Sequence, residues 1–149
     1  MSARPDELPV VLADPAARLP ARAHADDAGL DLRSIEDVEI PPGGRRRVRT
    51  GLRLAIPAGH AGLVLPRSGL ALRSGLTLLN APGLIDPGYR GDVDLIVHNT
   101  DPREAVAIVV GDRVAQLVLV RLADLEPAAV DELPPSERDE GGFGSTGSA

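Results

Sequence analysis

Chemically useful side chains are concentrated between Asn80 and Asp92, where the sequence reads NAPGLIDPGYRGD. The segment holds an amide, Asn80, a carboxylate, Asp86, and the chain's only tyrosine, Tyr89. Two Pro-Gly dipeptides are typical of turns, so the sequence predicts a rigid hairpin that projects Asp86 and Tyr89. Taken alone, the segment fits either a nucleotide pocket or an ordinary β-hairpin in which Asp86 caps a turn and Tyr89 packs on a sheet.

The composition excludes several kinds of chemistry. The chain has no cysteine, which excludes disulfides, thiolate nucleophiles and cysteine-ligated zinc. It has no lysine either, so all 16 basic side chains are arginine, and a Walker-type lysine or a Schiff-base mechanism is excluded. A bound anion would therefore contact arginine, backbone amides or a metal ion.

The formal net charge of -6 argues against a nucleic-acid polymer as a partner. We expect the arginine run 45–47 to be a solvated turn or strand edge. No apolar run reaches the ~18 residues of a membrane span, and the first residues are unlike a signal peptide. The sequence therefore predicts a cytoplasmic protein without a membrane partner.

The sequence predicts that short β-strands hold these residues in place. Aliphatic runs alternate with Gly/Pro turns at a spacing typical of an all-β sandwich or barrel. One short helix is predicted from Ser68 to Arg73, with Ser68 as its cap and Gly75 at its end. The predicted strands cover residues 52–56, 62–65, 76–79, 93–97, 106–110 and 114–120.

The length favours one domain, and the composition changes near its end. We expect a β domain over residues 1–132 and a flexible glycine-rich tail over residues 133–149. The only two aromatic residues, Tyr89 and Phe143, lie outside the aliphatic runs. Both are predicted to stack on a base or sugar, although Phe143 could instead anchor the tail.

Five segments follow one another along the chain: DAGLDLRS (27–34), PRSGLALRSG (66–75), the hairpin segment, GDRVAQLV (111–118) and RDEGGFGSTG (138–147). In order and spacing they resemble the motifs of the trimeric deoxyuridine triphosphatases. This resemblance implies a β jelly roll and a homotrimer with active sites at subunit boundaries. It also implies Mg²⁺-assisted hydrolysis of dUTP to dUMP and pyrophosphate, which limits uracil incorporation into DNA and supplies dUMP for thymidylate synthesis.

The resemblance assigns roles within the hairpin. Asp86 matches the catalytic aspartate, which orients a water molecule and accepts its proton. Tyr89 matches the tyrosine that lies beneath deoxyribose and leaves no room for a 2′-hydroxyl. Asn80 offers a donor and an acceptor to uracil, and backbone groups at Ile85 would complete that edge. Without the resemblance, Asn80 could instead be a turn side chain that bonds its own backbone.

Outside the hairpin, Arg67 and Ser68, with Gly69, are predicted to bind the α- and β-phosphates at the helix start. Gln116 matches a glutamine near the phosphates and the attacking water, but within a Val-rich strand it could equally satisfy neighbouring backbone. For Arg113, a structural ion pair is at least as plausible as substrate contact.

The resemblance also covers the metal and the tail. Asp31 matches an aspartate that contacts the waters of Mg²⁺ rather than the ion itself. The tail is predicted to close as a lid, in which Arg138 contacts the γ-phosphate and Phe143 lies over uracil. Asp139 departs from the glycine that the family usually has there. The other predicted tail contacts are Gly144, Ser145 and Thr146.

Two alternatives remain at this point. A dCTP deaminase of the same fold would need a glutamate where this chain has Ile96, and it would lack Gly69 and the GFGSTG tail. A non-catalytic nucleotide-sensing trimer would have no need of a water-activating carboxylate at Asp86.

Overall fold

The computed structural model describes Arg4 and residues 7–136, which form ten β-strands and one α-helix. In chain order they are β1 (Val10–Leu12), β2 (Leu30–Arg33), β3 (Val38–Ile40), β4 (Arg45–Leu54), β5 (His60–Pro66), α1 (Ser68–Ser74), β6 (Leu76–Leu78), β7 (Gly83–Ile85), β8 (Asp92–Asn99), β9 (Val106–Ile108) and β10 (Arg113–Arg121). Over these residues, no helix has the length and apolar character needed to cross a membrane.

Two four-stranded sheets make up most of the fold. Their strand orders are β1-β4-β8-β6 and β2-β10-β5-β7, and β3 pairs separately with β9. Every strand pair is antiparallel. Strands distant in sequence lie side by side, because the chain crosses repeatedly between the sheets, as in jelly rolls. This arrangement confirms the predicted all-β, jelly-roll-like fold with one short helix.

The hydrophobic core contains residues of both large sheets. In β8, Val93, Leu95 and Val97 are buried while the residues between them are not, since successive strand side chains point to opposite faces. The same cluster includes Leu32 of β2 and Leu117 of β10. The buried hydrophobic residues of the described chain are all Ala, Val, Leu or Ile, in keeping with the low aromatic content.

All six predicted strands are present, although their bounds differ. Residues 52–54 end a longer strand, β4, which begins at Arg45, so the arginine run is exposed strand rather than turn. β9 stops at Ile108, earlier than predicted, because Asp112 accepts a hydrogen bond from the Val109 N–H at 3.0 Å and Gly111 turns the chain with φ of 91°. The six predicted strands do not include β1, β2, β3 or β7, which have only three or four residues each.

The predicted helix is present as α1, but its cap prediction was wrong. Arg67, not Ser68, occupies the N-cap position, and no side chain caps the helix. The carbonyl of Arg67 already accepts hydrogen bonds from the N–H groups of Leu70 and Ala71 at 3.1 and 3.0 Å, so Ser68 lies one residue inside the helix. The predicted end is correct, because Gly75 adopts a left-handed conformation with φ of 62°.

The chain after the last described strand has no regular structure. β10 ends at Arg121, and residues 122–136 form neither helix nor strand and are exposed to solvent. The division of the chain at residue 132 stays a prediction.

Candidate active site

A cavity of about 190 Å³ lies between the hairpin segment and β8. The structure brings together three of the sequence-predicted site residues at this cavity: Asn80, Asp86 and Tyr89. The rest of its wall is formed by Val64, Leu78, Gly83, Leu84, Ile85 and residues 92–96. An amide, a carboxylate and an aromatic ring therefore face one concave space, an arrangement typical of small-molecule sites.

The predicted β-hairpin is not formed, because β7 pairs with β5 while β8 lies in the other large sheet, so the hairpin segment connects the two sheets. A tight turn within it positions Asp86. β7 ends at Ile85, and the N–H of Tyr89 donates to the carbonyl of Asp86 at 3.1 Å, which closes the turn. The guanidinium of Arg90 donates to the carbonyls of Pro87 and Tyr89 at 2.7 and 2.8 Å. The carboxylate of Asp86 is exposed and has no hydrogen bond or ion pair with any described residue. It is thus held on a braced turn with both oxygens available.

The ring of Tyr89 is fixed by its phenol and by a glycine. Its hydroxyl donates to the carbonyl of Asp92 at 3.0 Å, and the residue is 46% exposed, which leaves ring surface open to the cavity. A Cβ placed on Gly91 would lie 2.6 Å from Cζ of Tyr89 and overlap the ring. Gly91 thus makes room for Tyr89, a role that sequence reasoning missed although Gly91 follows Tyr89 by only two residues.

Asn80 and Ile85 differ in exposure. The Asn80 side chain is exposed and forms no hydrogen bond within the described residues, so its amide is free for a ligand. Its Nδ2 lies 3.4 Å from the position of a Cβ on Gly83, so the two residues are close. Ile85 pairs with Gly62 of β5 and is buried, so its side chain is not exposed to a ligand.

The carboxylates of β8 that line the cavity have opposite pKa shifts. The guanidinium of Arg53, with Nε 2.7 Å from Oδ1 of Asp92, holds the pKa of Asp92 below its usual value. Burial raises the pKa of Asp94, although Nε of Arg47 lies 3.5 Å from Oδ2. Sequence reasoning missed both acids, although their alternation with buried Val93 places them on the outward face of β8.

A second group of predicted residues meets around Asp31, on β2. Its Oδ1 lies 3.2 Å from Nε of Arg67, and its Oδ2 lies 3.1 Å from Nη1 of Arg113. Nη1 of Arg67 also donates to the carbonyl of Arg113 at 3.0 Å. Arg113 therefore has the structural ion pair that the sequence left open, and one carboxylate orients both guanidinium groups.

Gln116 belongs to the same region of the sheet. Its Nε2 donates to the carbonyl of Pro66 at 3.0 Å, so its amide does bond neighbouring backbone. A Cβ on Gly29 would overlap the side-chain oxygen of Gln116 and lie 3.1 Å from its Cδ. Gly29, in the DAGLDL segment, therefore leaves the space that the Gln116 amide occupies. Sequence reasoning did not identify this role.

Ser68 and Gly69 follow Arg67 at the beginning of α1. The Ser68 hydroxyl is exposed and has no hydrogen-bond partner within the described chain. Gly69 is half-buried under the side chain of Arg73, whose Nη1 lies 3.0 Å from the Cβ position of Gly69. An arginine and a free hydroxyl thus stand side by side next to the Asp31 group.

The two groups of site residues lie at opposite ends of β5. Ile85, which precedes Asp86, pairs with Gly62, whereas Arg67 directly follows the other end of the strand at Pro66. Five residues of strand at 3.3 Å each place Gly62 and Arg67 about 17 Å apart along β5. Within one chain, the carboxylate of Asp86 and the guanidinium of Arg67 do not meet.

The described residues contain no group of three or more His, Asp or Glu side chains that could hold a metal ion. Each oxygen of Asp31 accepts one arginine contact and keeps a further lone pair. The donor set therefore fits a metal ion held through water, and it does not fit a cage of direct protein ligands. The predicted tail contacts Arg138, Phe143, Gly144, Ser145 and Thr146 lie outside the described residues.

Comparison with known proteins gives a consistent result. Residues 16–147 match the family model described as dUTPase. The deoxyuridine 5'-triphosphate nucleotidohydrolase of Thermobifida fusca is 52% identical over 134 residues, covering 90% of this chain and 75% of the relative. That of Mycobacterium leprae is 50% identical over 145 residues, covering 94% of each chain.

Solved structures agree with this match. The dUTPase of Staphylococcus bacteriophage 80alpha with dUPNHPP superposes with a TM-score of 0.89 at 32% identity, covering 96% of this chain and 99% of the other. A mutant dUTPase of phage phi11 of S. aureus, described with a coordinated structural Mg(II) ion, has a TM-score of 0.80 at 29% identity, covering 85% and 98%.

Proposed function

This chain belongs to the dUTPase family and hydrolyses dUTP to dUMP and pyrophosphate, and on that premise we propose that Asp86 activates the attacking water. One observation carries the proposal: the unpaired carboxylate of Asp86 shares a cavity with Asn80 and Tyr89. A carboxylate on a braced turn can orient a water molecule and accept its proton as the water attacks the α-phosphate. The reaction limits uracil incorporation into DNA and supplies dUMP for thymidylate synthesis.

The hairpin selects the nucleotide. The free amide of Asn80 offers a donor and an acceptor to the uracil edge, and backbone groups at Ile85 complete the recognition. The ring of Tyr89, held against Gly91 and bonded to the Asp92 carbonyl, lies beneath the deoxyribose. A fixed ring excludes a 2′-hydroxyl by occupying its space, which discriminates more strongly than merely failing to bond it.

The residues around Asp31 bind the phosphates. Arg67 and Ser68 contact the α- and β-phosphates, because a guanidinium and a free hydroxyl together provide several donors to phosphate oxygens. Gly69 allows a close approach, and Gln116 completes this side of the site near the attacking water. Asp31 orients Arg67 and Arg113 through the two ion pairs.

The active enzyme is a homotrimer. Each active site takes its hairpin segment from one chain and its phosphate-binding residues around Asp31 from another chain. The separation of about 17 Å along β5 supports this arrangement, because the Asp86 and Arg67 of one chain cannot contact the same α-phosphate. Closed symmetric assembly then repeats the same contact at every subunit boundary.

Mg²⁺ is the proposed cofactor, held mainly by the triphosphate and water. When bound, the ion neutralises phosphate charge and holds the triphosphate in a defined geometry. Asp31 would contact the ion through water, by the lone pair that each of its oxygens keeps beside an arginine contact.

The tail completes the proposal as a lid, with Arg138 on the γ-phosphate, Phe143 over uracil, and Gly144, Ser145 and Thr146 around the phosphates. These residues lie outside the described part of the chain, so the lid rests on the family resemblance alone. Ending the chain after Ser136 should abolish most turnover while the body still folds. Full activity of that truncated chain would refute the lid.

Pyrophosphate release from dUTP, dCTP, dTTP and UTP, with and without Mg²⁺, tests the function. We expect release from dUTP with Mg²⁺ and little from the other three. Ammonia release from dCTP would instead favour the deaminase alternative, for which Ile96 replaces the required glutamate. Binding without any release would favour a nucleotide-sensing trimer. A cytoplasmic location stays a prediction.

A further inference from the structure

Arg73 is the last basic residue of α1, yet its charge lies at the other end of the helix. Its Nη1 and Nη2 are 3.0 and 3.6 Å from the Cβ position of Gly69. Helical side chains lean toward the N-terminus, so a residue four positions later can cover the preceding turn. The guanidinium of Arg73 therefore lies over the first turn of α1, at Gly69, away from the C-terminal carbonyls that a basic residue in this position usually meets.

Gly69 makes this placement possible. A Cβ at position 69 would lie 3.0 Å from Nη1 of Arg73, so the exposed guanidinium would have to shift by a few tenths of an ångström. Gly69 does not adopt a left-handed conformation, so its backbone does not itself require glycine. Helix propensity favours alanine over glycine at such a position. Glycine at this position therefore lets the guanidinium of Arg73 lie directly against the first turn of α1.

The charges around α1 indicate what Arg73 does. Arg67 and Arg113 share the carboxylate of Asp31, which partly neutralises both. Arg73 is exposed and has no ion pair or hydrogen bond with any described residue. It is thus an unneutralised cation over the first turn of α1, where an anion would be the missing partner.

We propose that Arg73 is a further substrate-binding residue, which contacts the pyrophosphate half of dUTP, and that Gly69 leaves the space its guanidinium needs. The proposal rests on the assignment of Arg67 and Ser68 to the phosphates. It adds a second arginine to these phosphate-binding residues and gives Gly69 a second role beside close approach to substrate.

The test uses the full chain with Arg73→Gln, Arg73→Lys and a control, Arg45→Gln. Arg45 is exposed, begins β4 of the other large sheet, and loses the same charge. Inorganic pyrophosphate and dUMP are titrated separately into each protein at low and high salt, and dUTP hydrolysis is measured in parallel. Wild-type hydrolysis of dUTP establishes the proposed function independently of Arg73.

We expect Arg73→Gln to weaken pyrophosphate binding about five- to tenfold, as for loss of a charge-assisted hydrogen bond, and to change dUMP binding less than about twofold. Arg73→Lys should lie between wild type and Arg73→Gln, since it keeps the charge but loses the planar fork. The difference should shrink at high salt, because the contact is exposed. Unchanged pyrophosphate binding in Arg73→Gln, or equal losses for pyrophosphate and dUMP, would overturn the proposal while leaving dUTP hydrolysis established.

Discussion

Asp31 and Arg67 form an ion pair, with Nε of Arg67 3.2 Å from Oδ1 of Asp31, that joins β2 to the residue directly after β5. The side chain of Asp31 is only 13% exposed, so water screens this contact less than it screens a surface pair. The second oxygen contacts Arg113 in the same way. The chain therefore arranges the phosphate-binding candidate Arg67 and its neighbour Arg113 around one carboxylate before any substrate binds.

Replacing Asp31 with asparagine keeps its shape and removes its charge. Arg67 and Arg113 would then stand close together without a shared anion. We expect KM for dUTP to rise about tenfold and the free energy of unfolding to fall by about 1–2 kcal/mol. Steady-state kinetics and urea unfolding measure the two effects, with the exposed Asp26→Asn as control. Recovery of normal KM in excess Mg²⁺ would show that Asp31 acts through the metal and not by orienting arginines.

Gly91→Ala should weaken discrimination between dUTP and UTP, because the new methyl group displaces the ring of Tyr89. The ratio of kcat/KM for dUTP to that for UTP should fall about tenfold, the scale of a steric selection weakened by one methyl group. Gly88→Ala is the matched control, since a Cβ there meets no heavy atom within 4 Å. An unchanged ratio in Gly91→Ala would show that the position of the Tyr89 ring does not determine selection of the sugar.

Asp94 and Asp92 should respond oppositely to pH. Burial raises the pKa of Asp94 above 3.8, so the folded state binds this proton more tightly than the unfolded state. Its charge then costs stability as pH rises through the raised pKa, and Asp94→Asn should gain in Tm over wild type from acid to neutral pH.

The hydrogen bond from Arg53 lowers the pKa of Asp92, so its contribution is present above pH 3.8 and is lost as pH falls through the lowered pKa. Asp92→Asn should therefore reduce Tm at neutral pH and converge on wild type in acid. Thermal unfolding followed from acid to neutral pH measures both variants. Two Tm differences of the same sign at neutral pH would contradict this electrostatic interpretation.

Mixing two inactive variants tests the shared site. Asp86→Asn and Arg67→Gln chains are unfolded together and refolded as one mixture. A site at a subunit boundary is intact when its hairpin segment comes from an Arg67→Gln chain and its phosphate-binding residues come from an Asp86→Asn chain. Random assembly should restore about a quarter of wild-type dUTP hydrolysis. A mixed trimer as inactive as its separate parents would show that one chain supplies both residues.

The fold was largely predictable because aliphatic runs and Gly/Pro turns act locally. Gly75 ends α1 as predicted, since its left-handed conformation is a short-range property. β2 and β3 were not predicted, because three or four residues carry too little periodicity and their pairing partners β10 and β9 are distant in sequence. The Ser68 cap failed for a related reason, since a shift of one residue moves the cap to Arg67.

The hairpin residues were predictable as a group because Asn80, Asp86 and Tyr89 lie on one short segment. The contact of Asp31 with Arg113 was not, because 82 positions separate them and only the pairing of β2 with β10 brings them together. The roles of Gly29 and Gly91 were missed because a glycine that makes space can be recognised only once its neighbour is located.

The role of Asp86 in activating the attacking water is tested by measuring dUTP binding and single-turnover pyrophosphate release for wild type and Asp86→Asn. Binding should stay within about twofold, because the amide keeps the size of the side chain, while the rate of release should fall at least about a hundredfold, as for loss of a general base. Wild-type release by Asp86→Asn would contradict the account.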